Sequence, residues 1–138
     1  MDEFASNKSY KGGRCSSCKT CRSAQSSKWK QRNPDKVRSS RLKNKFGIGL
    51  TEYLQILHSQ NGVCAICLDN ETTKHGARLR ELAVDHDRSC CRGEKSCGFC
   101  IRGLLCQACN TSIGKFKDNK EILQRAIDYL TTNKKENK

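Results

Sequence analysis

Residues 82–110 read LAVDHDRSCCRGEKSCGFCIRGLLCQACN, and this stretch decides the fold. It ends in a Cys-x-x-Cys pair, Cys106 and Cys109, followed at once by Asn110. An upstream pair, Cys64 and Cys67 in VCAIC, completes a set of four thiols. Two such knuckles supply the whole tetrahedral shell of a structural Zn²⁺. Asp85, His86 and Asn110 are not needed to hold that ion. A carboxylate oxygen and an amide oxygen suit a hard divalent cation such as Mg²⁺. An imidazole that is neutral near pH 7 can take a proton from water.

Working outward, the elements fall into an order. LRELAVDH carries β-compatible residues and ends on Asp85 and His86. A polar, cysteine-rich loop over residues 87–100 follows, then a second short strand in IRGLLC. QACNTSIGKFK reads as a helix opening at the second knuckle. Strand, loop, strand and helix make a ββα unit. Successive strand residues point to opposite faces, so Asp85 and His86 can serve one site only if the backbone bends where the strand ends. Before this unit, Thr51 followed by EYLQILHSQ reads as a capped helix, and Asn61-Gly62 stops it. After it, Asp118 and Glu121 have the spacing of a capping box. The helix they open has Ile122, Leu123, Ala126, Ile127 and Leu130 on one face.

Composition sets the class. The chain has 138 residues, 35% of them hydrophobic, and a mean hydropathy of −0.79. That predicts one domain with a thin core in which metal staples are plausible, and the order of the elements makes it α+β. Its 11 cysteines would mean disulfides in a secreted protein and zinc in a cytosolic one. MDEFASNKSY has no apolar signal core, and no stretch is long and apolar enough to cross a membrane. The expectation is a cytoplasmic protein with reduced thiols.

The formal charge of +13 points to a polyanion, most simply DNA. Residues 1–45 hold thirteen of the 27 Lys and Arg against three acids. With no apolar stripe, this run reads as a basic arm, helical on either side of Pro34 and not buried in a core. The boundaries are then 1–47 for the arm, 48–131 for the domain and 132–138 for a polar tail. Trp29, among Lys28, Lys30 and Arg32, can stack on a base or pack on the domain.

Seven cysteines remain. Cys90, Cys91, Cys97 and Cys100 lie within eleven residues of one polar loop. A second zinc site is favoured there over free thiols or disulfides. Cys15, Cys18 and Cys21 form C-x-x-C-x-x-C without a fourth ligand nearby. His58 and His75 read as ordinary surface residues.

VCAIC, LAVDHD, IRGLLCQACN and GKFKDN, in that order, resemble the recombination endonuclease VII family of phage HNH nucleases over about residues 48–130. NPDKVRSS and GLTEYLQILHSQ are similar to the lead-in of many phage members. The resemblance implies an HNH ββα-metal fold that hydrolyses DNA phosphodiesters. It implies structural zinc on Cys64, Cys67, Cys106 and Cys109. It makes His86 the general base, and Asp85 and Asn110 the ligands of a catalytic divalent cation, usually Mg²⁺.

The chain departs from the family twice. A histidine often found two positions after the base is Arg88 here, and the helical turn after Asn110 carries no carboxylate. Arg88 and Arg102 are candidate phosphate contacts, with a solvated surface cation as the plain alternative. The implied roles are a branched-DNA resolvase, which needs a homodimer to cut two strands, or a nicking nuclease working with phage packaging or recombination proteins. The rival from another class is a catalytically inactive, zinc-stapled nucleic-acid-binding module.

Overall fold

The computed structural model describes residues 4–6 and 13–132. Its elements run β1 (Phe4–Ser6), β2 (Arg14–Cys18), α1 (Lys19–Arg32), α2 (Pro34–Phe46) and α3 (Leu50–Ser59). There follow β3 (Lys74–His75), β4 (Arg78–Leu79), β5 (Ala83–His86), β6 (Ile101–Leu105), α4 (Gln107–Lys115) and α5 (Lys120–Thr132). The strands pair as three antiparallel ribbons, β1–β2, β3–β4 and β5–β6. This is an α+β fold with a ββα unit of β5, β6 and α4 at its centre.

The register of β5 and β6 positions the site. Ala83 faces Leu105, Val84 faces Leu104 and Asp85 faces Gly103, but His86 faces Ile101. Arg102 is therefore an extra residue on β6, a bulge directly beside Asp85 and His86. The bulge bends β6 rather than β5, in which Asp85 and His86 keep the alternation of an extended strand. The side chains alternate as a strand dictates, with Val84 and His86 buried and Ala83 and Asp85 half-buried.

The first knuckle replaces the missing third strand. Ala65 N–H donates to the Leu104 carbonyl (3.1 Å). Gln60 donates to the same carbonyl (2.9 Å) and accepts from Leu104 N–H (2.8 Å). One side chain thus satisfies backbone groups that an edge strand would leave open. Gly103 makes room for it, since a Cβ there would lie 3.0 Å from Gln60 Oε1.

The core is thin, as the composition predicts. It holds Ile48, Tyr53, Leu82, Val84, Leu104 and Leu105, together with the thiols Cys64 and Cys106. Tyr53 ties α3 to the strand by donating to the Leu82 carbonyl (2.9 Å).

Three local expectations need correction. The basic run does reach the core: α2 packs Leu42 and Phe46 against it. Arg38 lies over the Tyr53 ring, 4.9 Å from its centroid, and pairs with Glu81 at 3.1 Å. Leu42 and Phe46 are spaced i, i+4, which puts both on one face of an otherwise cationic helix. The cap of α3 is Gly49 rather than Thr51, because Glu52 reaches back to accept from Gly49 N–H (2.8 Å). The cap of α5 is Asn119 rather than Asp118, since Asn119 Oδ1 accepts from Ile122 N–H (2.9 Å). On the apolar face of α5, Ile122, Leu123 and Ala126 are half-buried while Ile127 and Leu130 are in solvent.

Candidate active site and cysteine clusters

The Sγ atoms of Cys64, Cys67, Cys106 and Cys109 all lie within 4.8 Å of one another. Each knuckle folds backbone N–H groups onto sulfur: Ile66 donates to Cys64 (3.5 Å) and Cys109 to Cys106 (3.4 Å). Cys106 is also the N-cap of α4, so its sulfur accepts at the positive end of the helix. Burial would raise the Cys64 thiol, but the backbone N–H groups of Cys106, Ile66 and Cys67 outweigh it and bring it down to about 6. Burial and the Cys106, Cys67 and Cys64 sulfurs push Cys109 up to about 12. Four thiols this close cannot all ionise without a cation among them, and an all-sulfur tetrahedral set fits Zn²⁺.

Cys90, Cys91, Cys97 and Cys100 form a second set, again within 4.8 Å of one another. Cys97 lies 3.8 Å from both Cys90 and Cys100. The Phe99 N–H is the main influence lowering the Cys97 thiol to about 7, while hydrogen bonds with the Cys97, Cys100 and Cys91 sulfurs push Cys90 up to about 12. Both clusters can hold a structural metal ion. The ten described cysteines are free thiols. Cys18 caps α1 as Cys106 caps α4, accepting from Cys21 N–H at 3.2 Å. The Cys15 side chain lies outside the described residues.

The catalytic candidates converge. Asp85, His86 and Asn110 line one open cleft of about 510 Å³, together with Arg88, Lys45 and Phe46. β5 delivers the first pair, and the first turn of α4 delivers Asn110 from just beyond the second knuckle. His86 is 7% exposed, and Phe46 of α2 lies 6.3 Å from it between ring centroids. Its Nε2 is buried without a hydrogen-bond partner. Leaving such an atom unpaired costs ~1–3 kcal/mol, so packing alone does not account for a histidine here.

Asp85 is held by Arg102. The guanidinium donates from Nε to Oδ2 (2.7 Å) and from Nη2 to Oδ1 (3.1 Å). Nη2 also donates to Asp118 Oδ1 (2.8 Å). These contacts raise the Arg102 pKa, with Asp85 the largest cause.

Asp118 is the residue that the sequence hid: it is read there as a helix cap, whereas its carboxylate, 18% exposed, belongs to this chain of charges. Glu71 was missed as well. Almost buried, it accepts from Thr73 N–H (2.8 Å) and Gln107 N–H (2.7 Å), tying the polar loop to the start of α4. An acid four residues after a knuckle, in a loop of polar residues, gives no signal of that role. Trp29, Lys28, Lys30 and Arg32 lie on α1, exposed and outside the cleft, with Trp29 49% exposed.

Together these features define a cysteine-stapled ββα domain with a polar cleft at the junction of its strands and helix. Residues 39–132 match the recombination endonuclease VII family, and the chain belongs to it. It is 39% identical over 92 residues to the Gene 59 protein of Mycobacterium phage D29, covering 66% of this chain and 48% of that protein. The chain thus spans about half the length of that curated relative. Among solved structures, the beta-beta-alpha-Me type II restriction endonuclease Hpy99I aligns over 96% of this chain and 59% of its own. The identity is 24% and the TM-score 0.37, too slight a likeness to bear on the argument.

Proposed function

We propose that this chain is an HNH endonuclease that hydrolyses DNA phosphodiester bonds with the help of a divalent cation. The observation that carries the reading is the meeting of Asp85, His86 and Asn110 in one cleft, with the His86 Nε2 unpaired. His86 takes the proton of the water that attacks phosphorus, while the P–O bond to the leaving sugar oxygen breaks and that oxygen takes a proton from solvent water. Asp85 and Asn110 supply the oxygen ligands for Mg²⁺. A cation held there would supply positive charge to offset the negative charge that builds up on the phosphate oxygens during cleavage. Arg88, on the same cleft wall, offsets charge on the phosphate. Zn²⁺ in the first cluster braces the helix that carries Asn110, and Zn²⁺ in the second fixes the loop between the strands. DNA is the substrate, drawn by the +13 charge. A resolvase role requires a homodimer, and a nicking role requires phage packaging or recombination proteins as partners.

One observation favours the rival, a zinc-stapled DNA-binding module without catalysis. Arg102 already occupies both oxygens of Asp85, where a metal ligand is required. Nicking of supercoiled plasmid decides between them. The wild-type protein is expected to nick with Mg²⁺ and not with EDTA added briefly. His86→Ala is expected to lose ~10²–10⁴-fold in rate at unchanged zinc content and DNA affinity. Asp85→Ala and Asn110→Ala are expected to recover in part at higher Mg²⁺, and His86→Ala is not. Nicking by His86→Ala at the wild-type rate removes the histidine from the mechanism.

A further inference from the structure

The GKFKDN segment, Gly114–Asn119, links α4 to α5, where Asn119 caps the second helix and Asp118 holds Arg102. The turn has an unusual backbone. Lys117 (φ +55°) and Asp118 (φ +53°) are consecutive non-glycine residues in the left-handed region. Such residues persist only where the surroundings over-determine them, and they concentrate at functional sites. Two backbone bonds fix the turn, from Lys117 N–H to the Gly114 carbonyl (3.1 Å) and from Asp118 N–H to the Ile113 carbonyl (3.2 Å).

The turn aims its two side chains at different targets. Asp118 is directed inward and fixes Arg102. Lys117 lines a second cavity of about 530 Å³, whose walls also include Arg88, Arg102, Lys120, Asp87 and Asp118. Four cations face two carboxylates there. Asp118 pairs with Arg102 and, at 4.0 Å, with Arg88, and Asp87 accepts from Ser89 N–H at 2.8 Å, so that Lys117 and Lys120 carry the surplus. The cavity therefore presents net positive charge to whatever enters it. It adjoins the catalytic cleft, since Arg88 lines both and Arg102 in its wall bonds Asp85 of the cleft.

We propose that this cavity is a subsite for one DNA backbone phosphate flanking the scissile one, gripped by Lys117 and Lys120 with Arg88 and Arg102. The inference rests on the nuclease reading for its location, though not for its chemistry. A phosphate carries the charge that the cavity lacks, and its neighbour on the same strand falls in the cleft that shares Arg88. Asp118 keeps the Arg102 guanidinium in place along the shared wall. The subsite sets which phosphodiester comes to rest at His86.

The test uses the full chain with His86→Ala, so that binding is read without cleavage, and short duplexes carrying one neutral methylphosphonate at successive positions. The second protein adds Lys117→Asn and Lys120→Gln, asparagine being tolerated in the left-handed region. Zinc content checks that both are folded. If the extra variant does not hold zinc, Lys120→Gln alone replaces it.

The expected result is one backbone position, beside the cut, where the neutral group weakens binding several-fold in the His86→Ala protein. That position is expected to lose its effect in the added variant. The salt slope, log K against log salt, is expected to fall by ~0.9, the share of one phosphate contact. Equal sensitivity of both proteins at every position, or an unchanged slope, overturns the subsite. If the position-specific loss appears but wild-type protein never nicks DNA, the nuclease reading fails and the subsite stands.

Discussion

The two four-cysteine clusters are alike in geometry and opposite in setting. Each brings its four sulfurs within 4.8 Å. The first joins segments far apart in the chain, residues 64–67 and 106–109, and two of its thiols belong to the core. The second closes one loop, residues 90–100, and its thiols are exposed or half-buried. The same chemistry thus does two jobs. A cluster that links distant segments under a thin core is part of folding itself. A cluster within one loop sets the shape of that loop and of what leans on it. What leans on it is the end of α2, where Ser96 N–H donates to the Lys45 carbonyl (2.9 Å). Beside that bond, Gly47 lies flat against Cys97 and Gly98. Phe46, packed by His86, sits between these two contacts in the chain.

The largest effect tests the first half of this contrast. Cys106→Ser leaves three thiolates and also weakens the cap of α4. Structural zinc contributes ~10–16 kcal/mol in small zinc-finger peptides, against a usual domain stability of ~5–15 kcal/mol. The variant is expected to lack both the metal of this cluster and cooperative thermal unfolding. A folded Cys106→Ser protein with a sharp melting transition would break the comparison at once.

Next comes the second cluster. Cys97→Ser/Cys100→Ser is expected to lower the metal content from two ions to one per chain while the ββα core stays folded. The loss of stability is expected to stay below ~5 kcal/mol, large for a surface change but short of unfolding. Hydrogen exchange reads the distinction: residues 87–100 and the end of α2 lose protection while Leu104 and Leu105 keep theirs. Loss of protection throughout the core would make the two clusters equivalent.

Much of this contrast was legible in the chain because cysteine spacing is a strong signal. Four thiols in two knuckles and four in one loop point to two clusters, and the structure brings each set of sulfurs together. The ββα order was legible too, since β-compatible runs ended at chemically distinctive residues. Strand alternation called for a bend where β5 ends, whereas the irregularity lies on β6, as the Arg102 bulge. What stayed hidden depends on tertiary contacts. Leu42 and Phe46 were submerged in a run of lysines and arginines, although their i, i+4 spacing was a faint sign. Asp118 and Asn119 are adjacent and both are good caps, so sequence alone favoured the wrong one. No pattern marks a left-handed Lys117, or a Gln60 standing in for a strand.

A smaller effect probes the link between loop and helix. Gly47 caps α2 at φ +73°, and a Cβ there would lie 2.7 Å from the Cys97 carbonyl carbon. Gly47→Ala incurs left-handed strain of ~1–2 kcal/mol and also pushes the loop backbone away. A destabilisation of ~1–3 kcal/mol is expected, with both metals retained. If urea denaturation shows no change, the loop does not bear on α2 in the way the contact implies.

The smallest effect separates backbone docking from charge. Lys45 Nζ and Glu94 approach to 3.9 Å across the same junction, but the glutamate side chain is 90% exposed. An exposed pair at that distance contributes ~0–1 kcal/mol and is screened by salt. Neither side chain is needed for the Ser96–Lys45 backbone bond or for the Gly47 contact. Glu94→Ala is therefore expected to shift stability by less than ~0.5 kcal/mol. The second metal and the protection of the α2 end are expected to remain intact. Urea melts at low and high salt provide the check, with Gly47→Ala as reference. A loss for Glu94→Ala equal to that of Gly47→Ala, and vanishing at high salt, would mean that charge rather than backbone fit holds the loop to α2. The second cluster would then shape an electrostatic contact, and its difference from the first would lie in what it holds, not only in where it sits.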